Sequence, residues 1–178
     1  MTAARPRPPR TFAVHPTARG FGWVAFEGHL TPYDWGLVGT KADKNMTCLR
    51  KVDALIARFL PDTLVLEAFE RHDSVRHDRI TRLCRSIVSL AADRGVDVAI
   101  YTREQIRACF ASVGAKSRHE IAQAVVRHVD ALRNWLPQAR KPWDSEHRRL
   151  AVFAAAALVL THHQLGTGQL FDGLSPIT

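Results

Sequence analysis

Three short apolar stretches open the chain. Thr11 to Val14 is a continuous run, Phe21 to Phe26 alternates around Gly22, and Leu30 to Val38 follows the Gly28-His29 turn. Stretches so closely spaced predict a three-strand antiparallel meander. From Lys41 to Leu60 the apolar residues fall at Leu49, Val52, Leu55, Ile56, Phe59 and Leu60, which is a helical period, and Pro61-Asp62 stops it. Thr63-Leu64-Val65-Leu66 is then a compact run of the kind buried on both faces of a sheet, with Glu67 at its C-terminal end.

Beyond Glu67, helical and strand patterns alternate. Ile80, Leu83, Cys84, Ile87, Val88 and Ala91 share one side of a helix predicted over 78–94, closed by Gly95, and a strand is predicted over 96–101. Thr102-x-x-Gln105 and Ser117-x-x-Glu120 are capping-box patterns. The first opens a short helix; the second, after a Gly114 turn, opens one expected to reach about Trp135. A loop with Pro137 and Pro142 leads to a last helix expected over 145–163. Residues 166–178 read as a turn-rich tail. Three antiparallel strands followed by two joined through helices is the ribonuclease-H-like plan.

Composition narrows the function. With 178 residues and 46% hydrophobic content the chain supports one domain, expected over 11–165. The 25 Lys+Arg against 17 Asp+Glu, a net charge of +8, are spread over several elements and favour a polyanion held on a face or groove, although solubility alone would also account for them. The start, MTAARPRPPR, is expected to be a disordered basic arm over 1–10. Cys48, Cys84 and Cys109 lack disulfide-framework or zinc-ribbon spacing and fit a reducing cytoplasm. Leu150 to Leu160 is too short to span a bilayer, and no apolar signal core opens the chain, so no membrane partner is expected.

Candidate chemistry gathers at predicted strand ends. Two-metal phosphodiester hydrolysis needs three or four carboxylate or imidazole ligands converging on one edge. His15 and Glu67 end strands expected to be neighbours, where an open sheet has its crevice. Glu67 is otherwise a solvated strand-end carboxylate. In WDSEHRR, Asp144 reads as a helix N-cap and Glu146 as a first-turn acid; with that segment at the crevice, Asp144, Glu146 and His147 would instead join His15 and Glu67 around a metal. After Glu67, the loop with Phe69, Arg71, His72, Arg76 and His77 mixes an aromatic wedge with cations, or buries Phe69 in the core.

The segment FAVHPTARGFGWVAFEG resembles the opening of the RuvC-like Holliday junction resolvase family. There the first strand ends in Asp, followed by Pro, a small residue, Arg and a Gly-rich return strand; here His15 stands in place of the Asp, and Arg19 and Gly20 are kept. The resemblance continues through LVLEAFERH, AIYTREQIRACF, SVGAKSRHEIAQAVVRHV and AVFAAAALVLTHH, from about residue 62 to 163. It implies an α/β ribonuclease-H-like mixed five-stranded sheet, three strands antiparallel then two parallel, flanked by helices. It also implies Glu67 as second acidic ligand, Lys116 and Arg118 facing the scissile backbone, and Arg107 near them. The last two ligands of the family fall on Ala151 and Ala154, while Asp144 and His147 keep their three-residue spacing upstream. His15 is then a ligand, a space-filling histidine or a mark of lost catalysis.

Two functions follow from the resemblance. One is a metal-dependent endodeoxyribonuclease of branched DNA, with Mg2+ or Mn2+ held by Glu67, His15, Asp144 and His147 and with Lys116 assisting catalysis. The other is a catalytically degenerate DNA-binding module within a recombination, transposition or defence complex, with no cofactor. Either would act as a homodimer, with Arg19, Phe69, Arg71, Arg76, Arg107, Lys116 and Arg118 on the nucleic acid. RNA stays open as the polymer, because the fold serves both.

Overall fold

The computed structural model describes residues 5–69 and 75–167. Its elements in chain order are β1 (Arg10–Thr17), β2 (Gly20–Glu27), β3 (Pro32–Gly39), α1 (Lys44–Phe59), β4 (Thr63–Glu67), α2 (Val75–Asp93), β5 (Asp97–Tyr101), α3 (Arg103–Ala111), α4 (Arg118–His128), a 3-10 turn (Asp130–Trp135) and α5 (Leu150–Thr167). The strands form one sheet in the order β3-β2-β1-β4-β5. The pairs β1–β2 and β2–β3 are antiparallel, and β1–β4 and β4–β5 are parallel. This is the mixed five-stranded plan expected from the sequence.

Alternation sorts the strand residues onto two cores. Phe12, Val14, Leu64 and Leu66 pack with α1 and α2, whereas Ala13, Val24, Phe26 and Val65 face α3, α4 and α5. At about 1.5–3 kcal/mol per fully buried large apolar side chain, these two layers are the main source of stability. Helix α5 is apolar on nearly every side, with Val152, Phe153 and Ala155 through Leu160 all buried. It crosses β2 closely: a Cβ on Gly22 would lie 2.4 Å from the Ala151 carbonyl carbon. Gly22 therefore admits the helix, and because Gly22 pairs with His15 the first turn of α5 comes to rest beside that residue.

Several boundaries differ from expectation. Strand β1 runs on to Thr17 because Val14 through Thr17 keep antiparallel partners in β2, whereas its parallel pairing with β4 is recorded only as far as Ala13 and Val65. His15 thus sits within β1, just beyond that pairing. Helix α4 ends at His128, where Val129 leaves helical geometry, and the 3-10 turn continues to Trp135. Both capping boxes form, with the Thr102 and Ser117 hydroxyls each accepting a backbone N–H at 3.1 Å. From Arg5 onward the expected arm is placed: Pro9 accepts an N–H from Gly28, Arg7 reaches Asp62 at 2.7 Å, and Arg10 already belongs to β1.

The largest correction concerns the last helix, which begins at Leu150 and not at Ser145. Asp144 is therefore no N-cap of it. The residues from Arg140 to Arg149 are almost all polar and exposed, so a further helical turn there would bury nothing, and helices in proteins owe most of their stability to such packing. Leu150 is the first residue of the segment to reach the core, at 8% exposure.

Candidate nucleic-acid interface

A crevice of about 750 Å³ opens at the carboxyl ends of β1 and β4, with an adjoining recess of about 150 Å³. Glu67 is the last residue of β4 and lies opposite Tyr101, the last of β5. Thr102 caps α3 immediately afterwards, which puts Arg103 at the start of that helix, and its Nε donates to Glu67 Oε1 at 3.2 Å. The Ser117 cap does the same for Arg118, whose Nη1 donates to both carboxylate oxygens of Glu146 at 2.8 and 2.9 Å. Two local caps thus aim two arginines at two carboxylates of the same crevice.

His15 lies between these pairs. Its Nδ1 is 3.8 Å from Glu67 Oε2, too long for a hydrogen bond, and that nitrogen is buried with no hydrogen-bond partner among the described residues. Burial is the main cause that lowers its pKa. Glu67 and Glu146 pull it back up, and Arg118 and Arg103 push it further down. The ring is neutral near pH 7. The thiol of Cys84, also on the crevice wall, is pushed up to about 12, mainly by burial with Glu67 adding, so it is protonated and inert as a nucleophile.

Most of the sequence-predicted residues meet here. His15, Arg19, Glu67, Phe69, Arg118 and His147 line the crevice, and Arg107, Lys116 and Ala154 line the recess together with His15, Glu67 and Arg118. Ala151 is on the crevice wall. Both positions that the resemblance assigns to the last two ligands, Ala151 on the crevice and Ala154 on the recess, thus carry only a methyl group. Asp144 does not line either space; its carboxylate accepts the backbone N–H of Lys141 at 3.2 Å. His147 Nδ1 accepts the N–H of Arg149, also at 3.2 Å, which occupies one ring nitrogen. Arg71 and His72 lie outside the described residues, and of Arg76 and His77 only the backbone in α2 is described.

Arg103 and Arg148 are additions that sequence reasoning missed. Arg103 carried a usable signal, since it directly follows the Thr102 cap at the end of a predicted strand. Arg148 carried none, because the loop was read as helix. With them, six basic side chains (Arg19, Arg103, Arg107, Lys116, Arg118 and Arg148) line the two spaces against three acidic ones (Glu67, Glu104 and Glu146).

That balance decides the fit of a metal pair. Two divalent ions about 3.5–4 Å apart need several free carboxylates, and magnesium in particular needs near-octahedral oxygen ligation. Here each of the two close carboxylates already faces a guanidinium, and His15 offers no charge. Among the described residues no group of three His, Cys, Asp or Glu side chains is placed to hold one ion. The donor set expected from the resemblance (Glu67, His15, Asp144, His147) is not brought together, because Asp144 is engaged in its own turn. The residues present do not fit a two-metal centre, whereas the excess of cations fits phosphates.

No protein-family model matches the chain, and no curated protein matches it. Solved structures do. RuvC of Thermus thermophilus in complex with a Holliday junction substrate matches with a TM-score of 0.66 and 16% identity over 90% of this chain and 96% of that one. A second structure of Thermus thermophilus RuvC matches with a TM-score of 0.63 and 21% identity over 89% and 96%. At these identities the likeness establishes the fold: the chain has a RuvC-like, ribonuclease-H-like architecture over nearly its whole length.

Proposed function

We propose that this chain is a RuvC-fold module that binds branched DNA through its basic crevice and does not hydrolyse it by a two-metal mechanism. The observation that carries the reading is the pairing of Glu67 with Arg103 and of Glu146 with Arg118, on a crevice whose helical wall presents Ala151 and Ala154. The Arg103 and Arg118 side chains are 40% and 54% exposed. Ion pairs so open to solvent are worth about 0–1 kcal/mol each. A DNA phosphate can therefore displace either carboxylate at little cost and gain a charge-assisted contact.

Support for branched DNA as the polymer comes from the fold, since one of the similar structures is a complex with a Holliday junction substrate. In this reading Arg19, Arg107, Lys116 and Arg148 track the phosphate backbone with the two arginines. Phe69, half-buried on the crevice wall, contacts a base near the branch. The module acts as a homodimer whose two crevices engage two strands, within a larger recombination, transposition or defence assembly; sedimentation at micromolar concentration tests the dimer.

The test is a gel shift and a cleavage assay on a four-way junction and a linear duplex, each with Mg2+ and with Mn2+. The expected result is preferential junction binding and no cutting. Glu67→Ala should bind as tightly as the parent or a few-fold more tightly, because it releases Arg103. A second reading is favoured by the presence of His15, Glu67, Glu146 and His147 among the residues that line the crevice. Once phosphates draw the arginines away, these four would hold metal and cleave. Cutting that disappears in Glu67→Ala would establish that reading and overturn the first.

A further inference from the structure

We propose that Trp143, at the tip of the loop between the 3-10 turn and α5, is a stacking platform for an unstacked or single-stranded base next to the crevice. The proposal rests on the nucleic-acid reading above and adds a second kind of contact to it. Trp143 is 77% exposed, whereas Trp23 is 7% exposed and Trp35 and Trp135 pack against the core. An indole left this open buries little of its surface in the fold.

The turn that carries it is braced. Asp144 N–H donates to the Lys141 carbonyl at 3.0 Å, the Asp144 carboxylate accepts the Lys141 N–H at 3.2 Å, and Arg140 Nη1 donates to the Asp144 carbonyl at 2.6 Å. Pro142, at the second position of this four-residue turn, restricts its φ. Asp144 thus serves the presentation of its neighbour. A ring held on a closed turn loses little freedom when a base stacks on it.

Position and charge name the occupant. Ser145, two residues on, lines the crevice, and two residues span at most about 7 Å, roughly two nucleotide steps of a strand at 3.4 Å each. Glu146 ties the base of the loop to Arg118. The loop also carries Arg140, Lys141, Arg148 and Arg149: the Lys141 ammonium is 5.5 Å from the Trp143 ring centroid, Arg148 lines the crevice, and the Arg149 guanidinium lies over Trp135. The two acids of the loop, Asp144 and Glu146, are both engaged internally. An exposed aromatic face with a lysine beside it, on a loop of four basic and two acidic residues, suits a base with its phosphate, since every base offers a π-face and every nucleotide an anion.

The experiment measures affinity of the full chain and of Trp143→Ala and Trp143→Phe for a four-way junction, a single strand and a linear duplex, with 2-aminopurine at the branch point or mid-strand. Sedimentation of each protein accompanies it. The expected result is an affinity loss of about tenfold for junction and single strand in Trp143→Ala, near parity on duplex, and recovery in Trp143→Phe. The 2-aminopurine signal should change on binding to the parent and much less on binding to Trp143→Ala. Unchanged affinity for all three substrates overturns the proposal. So does loss of a dimer in Trp143→Ala, which would assign the ring to a protein interface. If the parent shows no preference for the junction but the single-strand effect of Trp143 persists, the branched-DNA reading fails and the stacking site stands.

Discussion

The two ends of α5 handle polar side chains in opposite ways. At its first turn the helix presents Ala151 and Ala154 to a crevice of partly exposed ion pairs. At its last turns it carries His162 and His163. His163 is 4% exposed, with its ring 5.0 Å from that of His29, and His162 Nδ1 meets Tyr101 Oη at 2.8 Å. Burial, first among the causes, lowers both histidines, and His29 and His162 push His163 further, to about 4. One end keeps charge, pairs it loosely and leaves it within reach of a polyanion. The other end removes charge by taking imidazoles out of water. Polar groups near one helix thus stay charged where solvent reaches them and neutral where it does not.

The largest expected effect breaks the crossing that places the first end. Gly22→Val puts a side chain where a Cβ already meets Ala151 backbone at 2.4 Å. It should lower stability by about 3 kcal/mol, read by thermal or urea unfolding, and weaken DNA binding by moving the crevice wall. An effect of similar size isolates the second end. Above pH 6.5 His163 is neutral in both folded and unfolded chains, so pH has no hold on it. Between 6.5 and about 4 the unfolded chain takes up a proton that the folded chain refuses, and stability falls as pH falls. The loss should reach about 3 kcal/mol across that window, with His128, His162 and His15 adding in the same direction, and His163→Gln should flatten the slope of unfolding free energy against pH.

Arg103→Ala with Arg118→Ala sharpens the contrast. Stability should change by less than about 1 kcal/mol, because the pairs are exposed. Junction affinity should fall about tenfold or more, and the slope of log K against log salt should become shallower by about 1.8, two phosphates' worth. A titration across 50–200 mM salt on parent and variant decides it, as an unchanged slope would remove the arginines from the interface. The smallest effect is that of metal. Chelator or added Mg2+ should leave the unfolding midpoint of the parent unmoved, whereas His15→Asp with Ala154→Asp, which adds two carboxylates to the recess, should gain measurable Mn2+ binding by calorimetry.

Much of this fold was legible because its signals are local. The capping boxes at Thr102 and Ser117 act within four residues, the compact apolar runs of β1 and β4 need no neighbour to be seen, and Gly95 and Pro61 punctuate helices in place. The same locality put Glu67 at a strand end on the crevice, and the family resemblance put Arg118 there. It failed in the loop before α5. There WDSEHRR carries helix-compatible residues, and only the lack of anything to bury kept it from extending the helix. Asp144 accordingly went to a turn, where a metal ligand or a helix cap had been expected.

What the sequence by itself determined is therefore the order and type of the elements and the basic surplus; that His15, Ala151 and Ala154 stand at ligand positions is what the resemblance implies. What the tertiary structure alone decided is the electrostatic state of the crevice. Arg103 meets Glu67 across 36 residues and Arg118 meets Glu146 across 28, and neither pair has a local signature. Charge pairing depends on distance in space, and it was the packing of α3, α4 and the loop before α5 around one sheet edge that set a guanidinium against each carboxylate.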